Sequence, residues 1–232
     1  MNAYNENGNA SKKSVAANDK DESLDNLKNS QREEEAIEKN IWTSDFIQQL
    51  FQEVYTDHEN GIKTTIEIAK DIKKSNSDLL ITKLLDELKR NLAFVADCLK
   101  DEDVTSFLNK IELESSFKKR KNLKNDLLDR LDAPHNALGI VKLFAELYNI
   151  GLLDYDEMIQ SMNSFLDSGR INHVIIECFC EFLTRVKTKM NIEYPCQFVK
   201  YVVKLELISS NGAIQINDRI RCIVEDCIIK NI

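Results

Sequence analysis

The stretch from residue 118 to residue 124 is a dense cluster of positive charge. Five cations fall within seven residues, with no acidic residue between them: Lys118, Lys119, Arg120, Lys121 and Lys124. Such a cluster neutralises the phosphates of RNA or the carboxylates of an acidic partner. The alternative is a solvated helix face, because the charges spread around a helix and no aromatic residue interleaves to stack bases. The secondary basic candidates are Lys187, Lys189, Arg219 and Arg221.

The remaining polar residues do not assemble a catalytic site. The six glycines are isolated, so a phosphate-binding loop is not predicted. His173 stands at the start of an apolar helix and is interpreted as a capping or partly buried structural residue, and His135 as an exposed turn residue after Pro134. Carboxylate pairs such as Asp154 and Asp156 are typical of helix-starting turns. We therefore predict a non-enzymatic protein without catalytic residues, cofactor or small-molecule substrate.

The cysteines do not have the spacing of a metal site. The chain has six of them and no CxxC pair: Cys98, Cys178, Cys180, Cys196, Cys222 and Cys227. This pattern predicts no metal site and favours buried, reduced thiols in a cytoplasmic or nuclear protein.

Composition excludes several classes of function. The net charge of −8 does not attract nucleic acid globally, so any RNA contact depends on a local basic patch. No apolar run approaches the length of a membrane-spanning helix, and the N-terminus lacks the apolar core of a secretory signal. Hydrophobic residues make up 43% and charged residues 30%, as is usual for globular proteins.

The chain divides near residue 40. Residues 1–40 are polar and almost free of large apolar side chains, which predicts a disordered tail. Residues 41–232 carry apolar side chains at spacings of three and four, which predicts amphipathic helices throughout.

Four breaks divide the first part of this helical region, at Asn60-Gly61, at Ser75 to Ser77, at Asp101 to Asp103 and at Asp132 to Pro134. The sequence predicts a helix that ends at Asn60-Gly61, a second over residues 63–73, and a long third one carrying Leu80 to Leu99. A further helix over residues 115–131 is expected to end before Pro134, because proline disfavours the α conformation in the residue before it.

Five helices are predicted in the second part. The stretch from Phe198 to Ile208 also fits a strand, but its neighbours favour a helix, begun near Pro195. Helices of such length with short connections favour antiparallel pairs. The predicted fold class is all-α, an α-α superhelix of antiparallel helix pairs of the HEAT-like solenoid type.

The stretch between Ala137 and Lys189 resembles a known protein family. The segments ALGIVKLFAELYNIGLLDYDEMIQSMNSFL and INHVIIECFCEFLTRVKTKM resemble the middle domain of eukaryotic initiation factor 4G. Residues 144–148 have the order of that family: an aromatic residue, a small residue and then Glu-Leu-Tyr. The small residue is Ala145, at a position where glycine is commoner in the family. The ending INDRIRCIVEDCIIKNI resembles the closing helix of that family.

The resemblance implies an adaptor in mRNA metabolism with about five helix pairs and no catalytic centre. Partners implied in this way are an RNA helicase, a poly(A)-binding or cap-associated factor, and RNA itself. Translation initiation or its regulation is one interpretation. The alternatives are an adaptor of nonsense-mediated decay and a helical-repeat interaction module unrelated to RNA.

Overall fold

The computed structural model describes residues 44–75, 77–99, 104–167, 172–210 and 216–231. The regular structure within these ranges is entirely α-helical, which confirms the all-α prediction. The described residues form nine helices: α1 (Ser44–Thr56), α2 (His58–Lys74), α3 (Asp78–Cys98), α4 (Val104–Leu113), α5 (Phe117–Asn149), α6 (Tyr155–Asp167), α7 (His173–Glu193), α8 (Pro195–Ser210) and α9 (Asp218–Asn231). The predicted tail, residues 1–40, lies outside the described residues.

The boundary between α1 and α2 corrects the first predicted break. Asn60-Gly61 does not end a helix but lies in the first turn of α2. Asp57 is the N-cap, and its side chain accepts a hydrogen bond from the Asn60 backbone N–H at 3.1 Å. A short acid ahead of a helix satisfies one of its free N–H groups, so the cap outweighs the turn tendency of the Asn-Gly pair.

The predicted break at Pro134 is also wrong, since α5 continues through that residue. Proline cannot donate to the Arg130 carbonyl and crowds it, which ordinarily kinks or ends a helix. Ala133 and Ala137, on either side of Pro134, are buried, and the turns beyond them pack against neighbouring helices. Tertiary packing on this side of the helix offsets the missing hydrogen bond.

The ambiguous stretch from Phe198 to Ile208 is helical, as predicted. It belongs to α8, which begins at Pro195, where the missing N–H costs no intrahelical hydrogen bond. The helix buries Phe198, Tyr201, Val202 and Leu205, a spacing of three and four residues that places them on one face.

The helices pack around α5 and α7. Helix α5 contacts α2, α3, α4, α6 and α7, and α7 in turn contacts α8 and α9. Alternate helices therefore touch in chain order, from α3 to α5 to α7 to α9. Two pairs of helices are connected by a single residue: Asp57 lies between α1 and α2, and Tyr194 lies between α7 and α8. That these helix pairs stack into a superhelix stays a prediction.

The core of residues 47–232, a single compact unit, is aromatic and aliphatic. Its largest fully buried side chains include Tyr148, Phe144, Phe165, Phe179, Phe182 and Phe198. The one buried polar residue of the described chain is Thr65, whose hydroxyl donates to the Gly61 carbonyl at 2.8 Å. That hydrogen bond removes the cost of burying the hydroxyl.

Candidate nucleic-acid interface

The first half of α5, residues 117–132, carries the predicted basic cluster on a surface open to solvent. Within it only Leu123, Leu127 and Arg130 are half-buried, and every other residue is exposed. The structure therefore brings all five predicted cations together on one exposed helical segment. A partner can approach this segment from more than one side.

Arg120 differs from the four lysines in that it has a structural contact. Its guanidinium donates through Nε and Nη2 to the backbone carbonyl of Glu114, in the turn between α4 and α5. The Glu114 carboxylate accepts from the Ser116 backbone N–H at 2.8 Å in the same turn. Arg120 thus holds the start of α5 in place, and its charge is added to the cluster.

The four lysines are not engaged by the rest of the described chain. The side chains of Lys118, Lys119, Lys121 and Lys124 are exposed and form no hydrogen bond or ion pair with another described residue. At 100° per residue, Lys118, Lys121, Lys124 and Arg120 fall within less than half of the helix circumference, and Lys119 lies opposite them. Most of the cluster therefore faces one way.

Phe117 belongs to this face and was missed by the sequence interpretation. It is 83% exposed, and it precedes Lys121 and Lys124 by four and seven residues, the spacing of one helical face. Exposed Leu128 continues the same face. An exposed aromatic ring beside lysines is able to stack on a base while the lysines bind the backbone. The signal was present in this spacing, but Phe117 precedes the cations instead of lying between them.

The position of the cluster at the start of a helix strengthens its positive potential. The first turn of α5 holds no acidic residue, and the Ser116 side chain forms no capping hydrogen bond. Helix N-termini are stabilised by negative charge, so cations there are electrostatically unfavourable until an anion binds.

The secondary basic candidates are mostly occupied by contacts within the protein. Lys189 donates to the Tyr148 carbonyl at 2.6 Å and lies 4.3 Å from the centroid of the Tyr148 ring. Arg219 forms a bidentate pair with Glu177, at 2.6 and 3.0 Å, and Arg221 reaches Asp218 at 3.5 Å. Lys187 is half-buried on α7. The structure does not bring these residues into the cluster on α5.

The Glu-Leu-Tyr-Asn segment of the resemblance joins α5 to α7. Glu146 pairs with Arg185 at 2.8 Å, and Asn149 donates to the Arg185 carbonyl at 3.1 Å. The Tyr148 hydroxyl donates to Glu193 at 3.2 Å, and burial followed by this carboxylate raises the pKa of Tyr148. These residues hold two helices together, so their pattern has a packing role in this chain.

Two histidines form a stacked pair where α2 meets α5. The rings of His58 and His135 lie 4.1 Å apart between centroids, and His135 Nε2 donates to the Tyr55 carbonyl at 2.7 Å. His135 is exposed as predicted, but it lies within a helix and not in a turn. Burial, followed by the charges of His135 and Lys142, lowers the pKa of His58. His58 is therefore predominantly neutral at neutral pH.

A groove of about 800 Å³ lies between α3 and α6. Its charged lining includes Lys89 and Glu157, which pair with each other at 2.7 Å.

Among the described residues no cluster of three or more histidine, cysteine or acidic side chains has the arrangement of a metal site. None of the described helices has both the length and the apolar character to span a membrane.

The cysteine prediction holds for half of the residues. Cys178, Cys180 and Cys227 are buried, and Cys98 is half-buried, but Cys196 and Cys222 are exposed. Burial raises the pKa of the Cys178 thiol and keeps it protonated. Cys196 and Cys222 were misassigned because each lies near apolar residues in sequence but on the outer face of its helix.

Comparison with known proteins does not provide a family for this chain. No protein-family model matches it, and no curated protein matches it significantly. The resemblance to the middle domain of initiation factor 4G therefore stays a prediction from the residues that carry it.

Proposed function

We propose that this protein is a non-enzymatic adaptor in mRNA metabolism, acting in translation initiation or its regulation, that holds RNA on the first half of α5. The observation that supports this function is the set of four exposed lysines without partners in the described chain, beside the exposed ring of Phe117. The remaining surface of the helical domain is available to protein partners, such as an RNA helicase or a poly(A)-binding or cap-associated factor.

Electrostatics favours a local contact with the RNA backbone. The chain as a whole carries a net charge of −8 and repels RNA at long range, whereas residues 117–125 carry five cations and no acid. Each phosphate neutralised on a single strand contributes about 0.7 to the slope of log affinity against log salt. Contacts by a few lysines therefore predict moderate, strongly salt-dependent binding.

The first experiment measures fluorescence anisotropy of a labelled single-stranded RNA of mixed sequence. Its variant is the triple Lys118→Glu, Lys121→Glu, Lys124→Glu, which leaves the structural contact of Arg120 intact. The matched control reverses three exposed lysines on α2 and α3: Lys63→Glu, Lys70→Glu, Lys83→Glu. Both triples change the net charge equally, so the comparison isolates position from total charge.

We expect the α5 triple to weaken binding at least about tenfold and to reduce the salt slope by about 2, since three phosphate contacts are lost. The control triple should stay close to the unchanged protein. If the two triple variants lost RNA affinity equally, the assignment of RNA binding to α5 would be refuted. Phe117→Ala should weaken binding without changing the salt slope, because stacking on a base contributes about 1–3 kcal/mol and displaces few counterions.

The adaptor role is tested by affinity purification with mass spectrometry, using the unchanged protein and the α5 triple. Initiation factors among the recovered proteins support the proposal, and decay factors would favour the alternative of an adaptor in nonsense-mediated decay. Recovery of no translation, decay or RNA-processing factor would contradict a role in mRNA metabolism and leave an interaction module unrelated to RNA.

A further inference from the structure

One face of the first half of α5 carries a line of exposed residues with the spacing of a coiled-coil seam. Its members follow at intervals of four, three, four and three residues, the alternation that keeps side chains on one side of a helix. We call this line the α5 stripe, and it consists of Phe117, Lys121, Lys124, Leu128 and Leu131. All five are exposed, with exposed fractions of 83%, 57% and 55% for the three apolar members in chain order. At 1.5 Å per residue the α5 stripe is about 21 Å long.

The α5 stripe faces away from the side by which this half of α5 packs. The half-buried residues between 117 and 132 are Leu123, Leu127 and Arg130. At 100° per residue, their mean direction around the helix lies about 110° from that of the stripe. A second helix can therefore lie along the α5 stripe without displacing a packed element.

The charge along the α5 stripe is uneven. Lys118 lies on one side of its two lysines and Arg120 on the other, and residues 117–125 hold no acid. The far end of the stripe is apolar, with Leu128 and Leu131. A helix complementary to this surface carries acidic side chains opposite the lysines and apolar side chains opposite the two ends.

We propose that the α5 stripe docks an acidic amphipathic helix of a protein partner, which displaces RNA from α5. The partner helix lays its apolar residues on Phe117 at one end and on Leu128 and Leu131 at the other, as amphipathic helices do in helix-to-helix recognition. Its acidic residues pair with Lys121 and Lys124 between these ends. The displacement rests on the proposed function, because both ligands need the same lysines, whereas the docking does not.

The combination of charge and apolar surface is the reason to choose this occupant. RNA binds the cations and the Phe117 ring but gives no role to Leu128 and Leu131, which extend the stripe beyond Lys124. An anionic membrane is disfavoured by Asp132, an exposed acid on the same side of α5 as Leu128. A second copy of the stripe is disfavoured as well. When two copies are aligned end to end, Lys124 meets Lys124 of the partner subunit in either orientation.

Selection from a peptide library tests the chemistry of the occupant. The library displays helical peptides of about 15 residues, the length of the stripe, with the five positions of one heptad seam randomised. Selection on the unchanged full chain should enrich acidic residues at the central positions and apolar residues at the ends. Selection on the matched variant Lys121→Glu, Lys124→Glu should enrich cations at the centre instead. No enrichment, or the same preference on both proteins, would overturn the proposal.

Apolar variants separate docking from RNA binding. The double variant Leu128→Ala, Leu131→Ala should weaken binding of a synthetic peptide from the selection at least about tenfold, and RNA binding by less than about twofold. Leu79→Ala, which truncates an exposed leucine on α3, is the control and should change neither affinity. Unchanged peptide affinity in the double variant would overturn the docking, and circular dichroism verifies that each variant is folded.

Competition tests the displacement, with fluorescence anisotropy of labelled RNA bound to the full chain. Added peptide should release the RNA, and joint binding of both without competition would contradict the displacement. A chain that binds RNA but no peptide would refute the docking alone. A chain that binds the peptide but not RNA would refute the proposed function and the displacement, and would support the docking.

Discussion

The two halves of α5 share one continuous helix but have opposite environments. The first half, residues 117–132, leaves nearly all of its side chains exposed, whereas the second half, residues 133–149, is the most buried segment of the fold. Buried side chains in the second half include Ile140, Phe144 and Tyr148, and the exposed ones in the first include Phe117 and Leu128. The difference lies in what surrounds each half, because both halves are helical.

This comparison shows how one helix can separate stability from binding. Burial of large apolar side chains stabilises the fold by about 1.5–3 kcal/mol each, and it is confined to the second half. The first half forms few contacts with the protein, so its surface residues can change with little effect on stability. A binding segment of this kind is positioned by the core but does not belong to it.

The largest expected difference between the halves is in the effect of removing an apolar side chain. Phe144→Ala should lower the free energy of unfolding by about 3–5 kcal/mol, because it leaves a cavity in the core. Leu128→Ala should change it by less than about 0.5 kcal/mol, since Leu128 is exposed. Urea unfolding measures both. Similar losses in the two variants would show that the first half is packed against something in solution.

A second contrast concerns added volume. Gly139→Ala places a Cβ 2.8 Å from Cδ2 of His58 and 3.2 Å from the Val54 carbonyl oxygen. We expect a loss of about 2 kcal/mol, because overpacking outweighs the helix propensity of alanine. The control in the exposed half is Asn125→Ala, which should raise stability by a few tenths of a kcal/mol. A gain in both variants would mean that the His58 ring moves aside without cost.

The junction between the halves is tested by Pro134→Ala. Alanine restores the N–H that bonds to the Arg130 carbonyl and removes the clash of the ring, so the free energy of unfolding should rise by about 1 kcal/mol. Thermal unfolding followed by circular dichroism measures the change. A loss of stability instead would show that packing of the second half depends on the path that proline imposes.

The smallest expected effect is on the pH dependence of stability. Because the pKa of His58 in the folded protein is below its ordinary value, the unfolded chain binds the proton more readily. Stability from this residue is therefore present above about pH 6.5 and falls as the pH drops through that value. Burial is the main cause of the lowered pKa of His58; the charges of His135 and Lys142 add to it, and the charge of Asp57 opposes it.

The measurement is urea unfolding of the unchanged protein and of His58→Gln at several pH values between about 5 and 8. The unchanged protein should lose more stability on acidification than the variant does. Parallel curves would show that His58 does not titrate differently in the folded and unfolded states.

Local signals in the sequence predicted the helices, the cation cluster and the start of α8 near Pro195, but not the helix boundaries near Asn60 and Pro134. Asn60-Gly61 and Pro134 are strong local breakers, and both lie inside helices. Near Asn60 the helix continues because Asp57 caps its N-terminus. At Pro134 the helix continues because Ala133 and Ala137 are buried. The first of these signals was readable from the sequence, since an acid three residues before Asn60 is a cap pattern.

The sequence predicted only part of the candidate interface, because its other features depend on contacts that the fold creates. The five cations follow from the sequence alone, because charge density is a property of neighbours along the chain. That Arg120 is bound to the Glu114 carbonyl while the four lysines have no such contact depends on the turn between α4 and α5. The exposure of Phe117 depends on which side of α5 faces the core, and local spacing does not determine it.

The sequence by itself determined that the part of the chain described by the structure is helical, and where the positive charge is concentrated. Spacing of apolar residues and density of charge act over a few residues, so they can be read directly. Only the tertiary structure decided that α5 continues through Pro134, that His58 stacks on His135, and that Val199, Val203 and Leu207 on α8 are exposed. Each of these depends on contacts between residues far apart in sequence, and the free energy of those contacts outweighs local preference.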